Sequence, residues 1–422
     1  MNEVYFNRYL LILLSILPFS FLIGPSISLI NILVFDIFII LFFFLKKEWS
    51  WTNEITIKIF LLLYLYLIFN SLISINPMVG FQRNFGFIRL IVLFIGINYF
   101  FNKYKYSDKI FRFWSLIILL IVMDIFIELI FGSNIFGYGA NEDRVASFFD
   151  DELIVGGFVL SFFFITVGFY LNKLNNFNNL VKIILLIFLI LFFISIIFTG
   201  ERSNSIKAIL GLVILIFSYF KFNLKSLSVL IILFFIIIFT VNKNNYLKNR
   251  FITSIIHSGN TFVSSFQHGT PHDNPSGNLY AKLYRSGYDV FKNYPYFGVG
   301  NKNYRVEACT NKFYHRGIHI TINNYVCMTH PHQIYFELLS EHGILGTLLI
   351  LAVFSFLLLR GFKVNIEEKN FIGIGCFCYL FTVFTPLIPS GSFFSDYNIS
   401  LFFINLSIMY ASSKQLNIFN KR

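Results

Sequence analysis

Long uninterrupted apolar runs alternate along this chain with short charged turns, and a single long polar interval separates residues 242 and 333. Runs near the length needed to cross a bilayer, about 20 residues, fall at 9–23, 26–45, 56–75, 85–102, 112–131, 153–171, 180–199, 204–220, 224–241, 334–360, 370–388 and 393–412. The pattern predicts an all-α integral membrane protein of about twelve transmembrane helices. Nine belong to residues 1–241, three to residues 334–422, and residues 242–333 form one large loop containing short helices. Away from water every backbone N–H and C=O must be satisfied internally, which a helix does within its own segment.

Composition agrees and excludes a soluble enzyme: 56% of residues are hydrophobic and only 13% charged, with a mean hydropathy of +0.71, where soluble domains carry roughly a quarter charged residues. A formal charge of +12 in a soluble chain would suggest nucleic acid. Here position outweighs the sum, and no nucleic acid is expected; the surroundings are membrane lipids. With the N-terminus inside, 18 of the 33 basic residues lie in short inner loops and tails, as the positive-inside rule requires. Ten more lie in the long loop, whose charge says little about sidedness. The five left over, Arg83, Arg89, Arg144, Arg202 and Lys207, sit at expected outer ends or inside helices. The first apolar run has no small-residue cleavage site after it and a second span follows at once, so it is read as a helix, not a signal peptide.

Four cysteines are too few for a disulfide scaffold. Cys376 and Cys378 fall inside an apolar run and are most simply core. Cys309 and Cys327 lie in the long outer loop, where an oxidising compartment would permit a bridge, although spacing alone does not decide it.

All eight histidines (His257, His268, His272, His315, His319, His330, His332 and His342) fall between 257 and 342. In the same interval Asn278 is placed to cap a short helix, Leu279–Asn293, with Tyr280, Tyr284, Tyr288 and Phe291 as its apolar stripe. Arg285 belongs to the polar side of that helix, where a surface pair with Asp289 competes with a binding role. The stretch N-Y-P-Y-F-G-V-G then ends it in a turn. Arg202, in T-G-E-R-S-N-S between two apolar runs, lies at the outer end of the eighth span. Unpaired amides and the positive dipole end make such a terminus an anion site, and a guanidinium adds a bidentate donor for phosphate oxygens. A pair with Glu201 or snorkelling to headgroups is the alternative.

His332 is expected at the N-terminus of the tenth span, with Pro331 in its first turn. The positive helix end disfavours imidazolium, which suits a general base; a hydrogen-bonded interfacial histidine is the plainer alternative. His330 and His332, with His315 and His319, raise a metal site, but no cysteine-rich or H-E-x-x-H pattern supports one, and neither metal nor cofactor is expected.

His332-Gln333, nine residues, Gly343, two residues and Gly346 resemble the H-[NSQ]-x9-G-x-x-G signature of the O-antigen ligase and polymerase superfamily. The context is similar too: about twelve spans, one large periplasmic loop before the tenth, an arginine at the outer end of the eighth, and a loop arginine followed by P-x-F-G-V-G. Arg144-Val145-Ala146-Ser147-Phe148-Phe149, followed by Gly156-Gly157, is similar to a further stretch of that superfamily.

The resemblance implies a metal-independent, inverting glycosyltransferase of the bacterial inner membrane, with its active site facing the periplasm. Its donor would be a glycan on undecaprenyl pyrophosphate, and its acceptor lipid A core or, in a polymerase, a second lipid-linked glycan. The family's catalytic histidine corresponds to His332 and its pyrophosphate arginines to Arg202 and Arg285. Glu337 and Glu341 are near His332 in sequence, but offsets of five and nine place neither securely beside it. A transporter of lipid-linked glycans is a third reading; against it, the informative polar residues gather on one side and not at mid-membrane.

Overall fold

A computed structural model describes residues 3–103, 107–139, 144–149, 152, 154–253, 256, 278–315 and 318–420. His257, His268 and His272 lie outside the described residues. Before the long loop the chain forms α1 (Glu3–Ser15), α2 (Leu17–Ile23), α3 (Pro25–Lys46), α4 (Ile55–Leu72), α5 (Pro77–Phe85), α6 (Ile88–Lys103), α7 (Ser107–Phe131), α8 (Val155–Lys173), α9 (Asn179–Phe198), α10 (Arg202–Phe220) and α11 (Leu224–Lys243). The loop holds α12 (Leu279–Asn293), α13 (Tyr304–Cys309) and an antiparallel ladder of β1 (Phe313–His315) and β2 (Ile318–Ile320), in register Phe313↔Ile320. After it come α14 (Ile334–Glu367), α15 (Phe371–Val383) and α16 (Asp396–Ala411).

Each of the twelve apolar runs contains helix, but not every one forms a single helix of full spanning length. Among the described residues nine are long and apolar enough, with α5 and α6 taken as one segment, or ten if the pair bent by 48° at Ile16 is one span. The last two of the expected runs fold as the shorter helices α15, of 13 residues, and α16, of 16. The 13 residues of α15 rise only about 20 Å, against a hydrocarbon core of about 30 Å. The α15 helix stops at Val383 and α16 does not begin until Asp396, because Pro386, Pro389 and Ser390-Gly391-Ser392 interrupt the apolar pattern.

Burial sorts the helices into inner and outer. The span window of α8 is 78% buried and that of α11 only 11%, so α11 presents Leu227, Ile231, Phe234 and Phe235 outward, a face that hydrocarbon can cover without cost. The α15 helix packs tightly on α8 because small residues meet there: a Cβ on Gly168 would collide with the Phe371 carbonyl oxygen, and one on Gly375 with that of Phe164. The buried aromatic centre includes Phe354, whose ring lies 5.0 Å from Phe402 and 5.7 Å from Phe393.

In the loop, α12 runs from Leu279 to Asn293, with the Asn278 side chain accepting from the Tyr280 N–H at 2.9 Å. Its buried face is Ala281, Leu283, Tyr284, Ser286, Gly287 and Val290, whereas Tyr288 is exposed, so the true apolar face is rotated from the aromatic stripe. Stacking of Tyr284 on Phe336, ring centres 5.3 Å apart, seats α12 on the start of α14. Cys309 and Cys327 form a disulfide across 18 residues, while Cys376 and Cys378 are free and buried.

Candidate active site

The cationic side of the site is built where α9 turns into α10. After α9 the backbone reverses at Gly200, φ 73°, and Arg202 is the first residue of α10. Glu201, which adjacency would pair with Arg202, instead reaches across to the first turn of α8. There it accepts the Gly156 N–H at 2.7 Å, and on its other oxygen the Asn204 side-chain amide. A carboxylate at a helix N-terminus is electrostatically favoured, so Glu201 is spoken for and Arg202 has no ion pair among the described residues.

The segment Arg144–Phe149 is held beside this turn by two carboxylates that hydropathy alone does not single out. The N–H groups of Ala146 and Ser147 donate to Glu128 at 3.2 and 2.7 Å, the Ser147 hydroxyl donates to Asp124 at 2.5 Å, and the Val145 N–H donates to the Thr199 carbonyl at 3.2 Å. Asp124 and Glu128 are four apart on α7 and buried. Two acids one turn apart within an apolar run are the signal that could have found them, since such groups stay inside a membrane helix only with partners.

The histidine side depends on a break in α14. Gly343 sits at φ 61° in the middle of that helix, a conformation strained for any side chain. The polar groups freed by the break are taken up by the stretch Pro295–Gly300. Val299 and Gly300 donate to the carbonyls of Ser340 and Glu341, each at 2.9 Å, and Ile344 donates to that of Pro295 at 2.8 Å. At Gly346 a Cβ would collide with the Tyr66 hydroxyl. Both glycines of the motif therefore serve backbone geometry. Gln333 is the N-cap, accepting from the N–H groups of Tyr335 and Phe336 at 2.7 and 3.2 Å.

His332 thus precedes the cap, at φ 56°, and Pro331 lies outside the helix, correcting the placement of that proline in the first turn. The ring of His332 faces His330, centres 4.0 Å apart, and Tyr280 at 6.2 Å. Burial, and after it the neighbouring His330, lowers its pKa to about 4. The neutrality expected from a helix end arises here from desolvation. Neither Glu337 nor Glu341 contacts His332 among the described residues. Glu337 accepts from Ser392 and Phe393, and Glu341 from the Tyr304 N–H at 3.4 Å.

The two sides open onto one cavity of about 880 Å³, whose lining includes Arg144, Glu201, Arg202, Lys207, Tyr280 and His332. Arg285 is not part of that lining; its Nε lies 3.3 Å from Asp289, the pair anticipated four residues on. Among the described residues no three His, Cys, Asp or Glu side chains converge to hold a metal, and His319 packs against Tyr314.

These features define a multi-pass, all-α membrane protein with a cation-lined cavity that a neutral histidine faces. Residues 187–351 match the family model described as O-antigen ligase, a range that takes in Arg202, Arg285, His332, Gly343 and Gly346, and this supports placing the chain in the O-antigen ligase superfamily. No curated protein matches the chain. The family match supports a membrane enzyme of glycan transfer, of ligase or polymerase type, working on lipid-linked glycans.

Proposed function

We propose that the cavity transfers a glycan from undecaprenyl pyrophosphate to lipid A core, at the periplasmic face of a bacterial inner membrane. The observation that carries this is that Arg202, Arg144 and His332, distant in sequence, line one cavity. As the acceptor oxygen forms its bond to the anomeric carbon, the bond from that carbon to the phosphate oxygen breaks, and the pyrophosphate leaves with the electron pair. Arg202, on the first turn of α10, and Arg144 stabilise the negative charge growing there, which fixed guanidinium groups do without a metal. His332 takes the acceptor hydroxyl proton. Attack opposite the leaving group inverts the sugar.

A bound pyrophosphate also places negative charge near His332, which raises the pKa of the imidazole from its value in the empty site and makes it a stronger base when it is needed. Arg285 keeps the role implied by the resemblance if its pair with Asp289 opens as donor binds. The polymerase reading differs only in acceptor, and the motif and cavity serve both. Reconstitution with lipid-linked glycan and either lipid A core or a second lipid-linked glycan, followed by gel analysis, tests the proposal. Glycan appearing on lipid A core supports it, a ladder of lengthened lipid-linked chains gives the polymerase, and no transfer to either acceptor overturns both.

A further inference from the structure

One wall of the cavity is irregular. Between α15 and α16 the strap 384–395 has no regular secondary structure, and Leu387–Gly391 and Phe393 face the cavity. Its anchors come from the residues around the catalytic histidine. The Tyr335 hydroxyl donates to the Phe384 carbonyl at 2.7 Å and that of Tyr284 to the Leu387 carbonyl at 3.3 Å. The Ser390 N–H donates to the backbone carbonyl of His332 itself at 2.9 Å, and His330 Nε2 lies 3.4 Å from the Ser390 carbonyl.

The firmest anchor is Glu337. This fully buried side chain accepts from the Ser392 hydroxyl at 2.5 Å and from the Phe393 N–H at 2.9 Å. Lys302 Nζ lies 3.7 Å from the same carboxylate and also donates to the Ser392 hydroxyl. Burying a carboxylate and an ammonium costs several kcal/mol per ion, to be offset by geometry, so a pair placed here is poor evidence for stability alone. Its donors are two consecutive residues of the strap, and His332, five residues before Glu337, holds the same strap at Ser390. Glu337 and the backbone of the histidine thereby both tie the start of the helix to the strap.

We propose that Glu337 is a positioning residue for the transfer: with Lys302 it fixes the strap, and through the bond between Ser390 and His332 it holds the imidazole aimed into the cavity. This rests on reading His332 as the base. The test uses the full chain in lipid nanodiscs, comparing wild type with Glu337→Ala, Glu337→Gln and the milder Ser392→Ala, which removes only the hydroxyl. Hydrogen exchange at Ser390–Phe393, affinity for lipid-linked glycan, and turnover are read separately.

Glu337→Ala should speed exchange at the Ser390 and Phe393 amides and lower turnover roughly 10- to 100-fold, the scale for a misplaced catalytic group, with donor affinity within about 2-fold. Glu337→Gln, which keeps one carbonyl oxygen for the Phe393 N–H, should fall between it and wild type. If Glu337→Ala does not fold, Ser392→Ala carries the same expectation at smaller size. Faster exchange with unchanged turnover, or donor affinity falling in step with turnover, overturns the proposal. So does unchanged exchange, which needs no active enzyme to observe. A wild type without transfer activity sinks the functional reading instead.

Discussion

Two groups of basic residues outside the expected inner loops look alike in the sequence and meet opposite fates. Arg83 and Arg89 both pair with one carboxylate, Asp396 at the start of α16, and Arg89 is only 11% exposed there. Arg144, Arg202 and Lys207 line the cavity, where Glu201 is already bonded to Gly156 and Asn204. The first group spends its charge on holding α5, α6 and α16 together, and the second leaves charge available for an anionic ligand. On the proposed function, what distinguishes a binding arginine here is the prior engagement of the nearest acid.

The comparison can be sharpened from the chemistry outward. The largest effect is expected at His332: His332→Ala should lower turnover by roughly 10²–10⁴, the range for losing a general base, while lipid-linked glycan still binds. In the proposed mechanism neutral imidazole is the active form, so the wild-type rate should fall as pH drops through its pKa. In kcat/KM, which reports the free enzyme, that limb should lie near pH 4, and in kcat, with pyrophosphate bound, it should lie higher. A His332→Ala enzyme of near-normal turnover removes the base from the mechanism.

Next in size, Arg202→Ala and Arg144→Ala should each weaken donor binding about 10- to 100-fold, matching charge-assisted hydrogen bonds of roughly 1.5–3 kcal/mol. Arg202→Lys should restore little of it, because an ammonium cannot make the bidentate contact. Donor affinity unchanged in both alanine variants would erase the contrast between the two groups of arginines.

Asp396→Asn probes the other group. It strips two guanidinium groups of their shared partner and should cost roughly 1–3 kcal/mol of stability, seen as a lower melting temperature in detergent, with donor affinity kept in the folded fraction. Donor binding lost at unchanged melting temperature would move Arg83 and Arg89 into the ligand-binding class. The smallest effect on stability is expected from Arg285→Ala, since an exposed i,i+4 pair contributes only a few tenths of a kcal/mol. Donor titration of that variant then isolates any role in binding, and a loss as large as that of Arg202→Ala would show that the pair with Asp289 opens in the complex.

Much of the architecture is legible in the order of residues alone. The apolar runs, the cap at Asn278 and the place of Arg202 at the end of a span all depend on residues close in sequence. The histidine motif is legible as a pattern but not as geometry. Gly343 and Gly346 are explained only by what approaches them, the Pro295–Gly300 stretch and the hydroxyl of Tyr66. Hydropathy carries the eleventh run on to Ile388, whereas α15 stops at Val383 and the chain leaves the helix to become a wall of the cavity.

The sequence by itself determined which segments are helical and that they belong in a membrane, because a helix closes its backbone hydrogen bonds within a few residues and its lipid face asks only for apolar side chains. Tertiary structure alone decided which charges are free to bind, where α14 breaks and what faces His332. Arg89 meets its acid 307 positions away and the Asn70 amide meets the Glu341 carbonyl 271 away, and in a buried polar site each group's chemistry is set by the partner it finds, which no local pattern records.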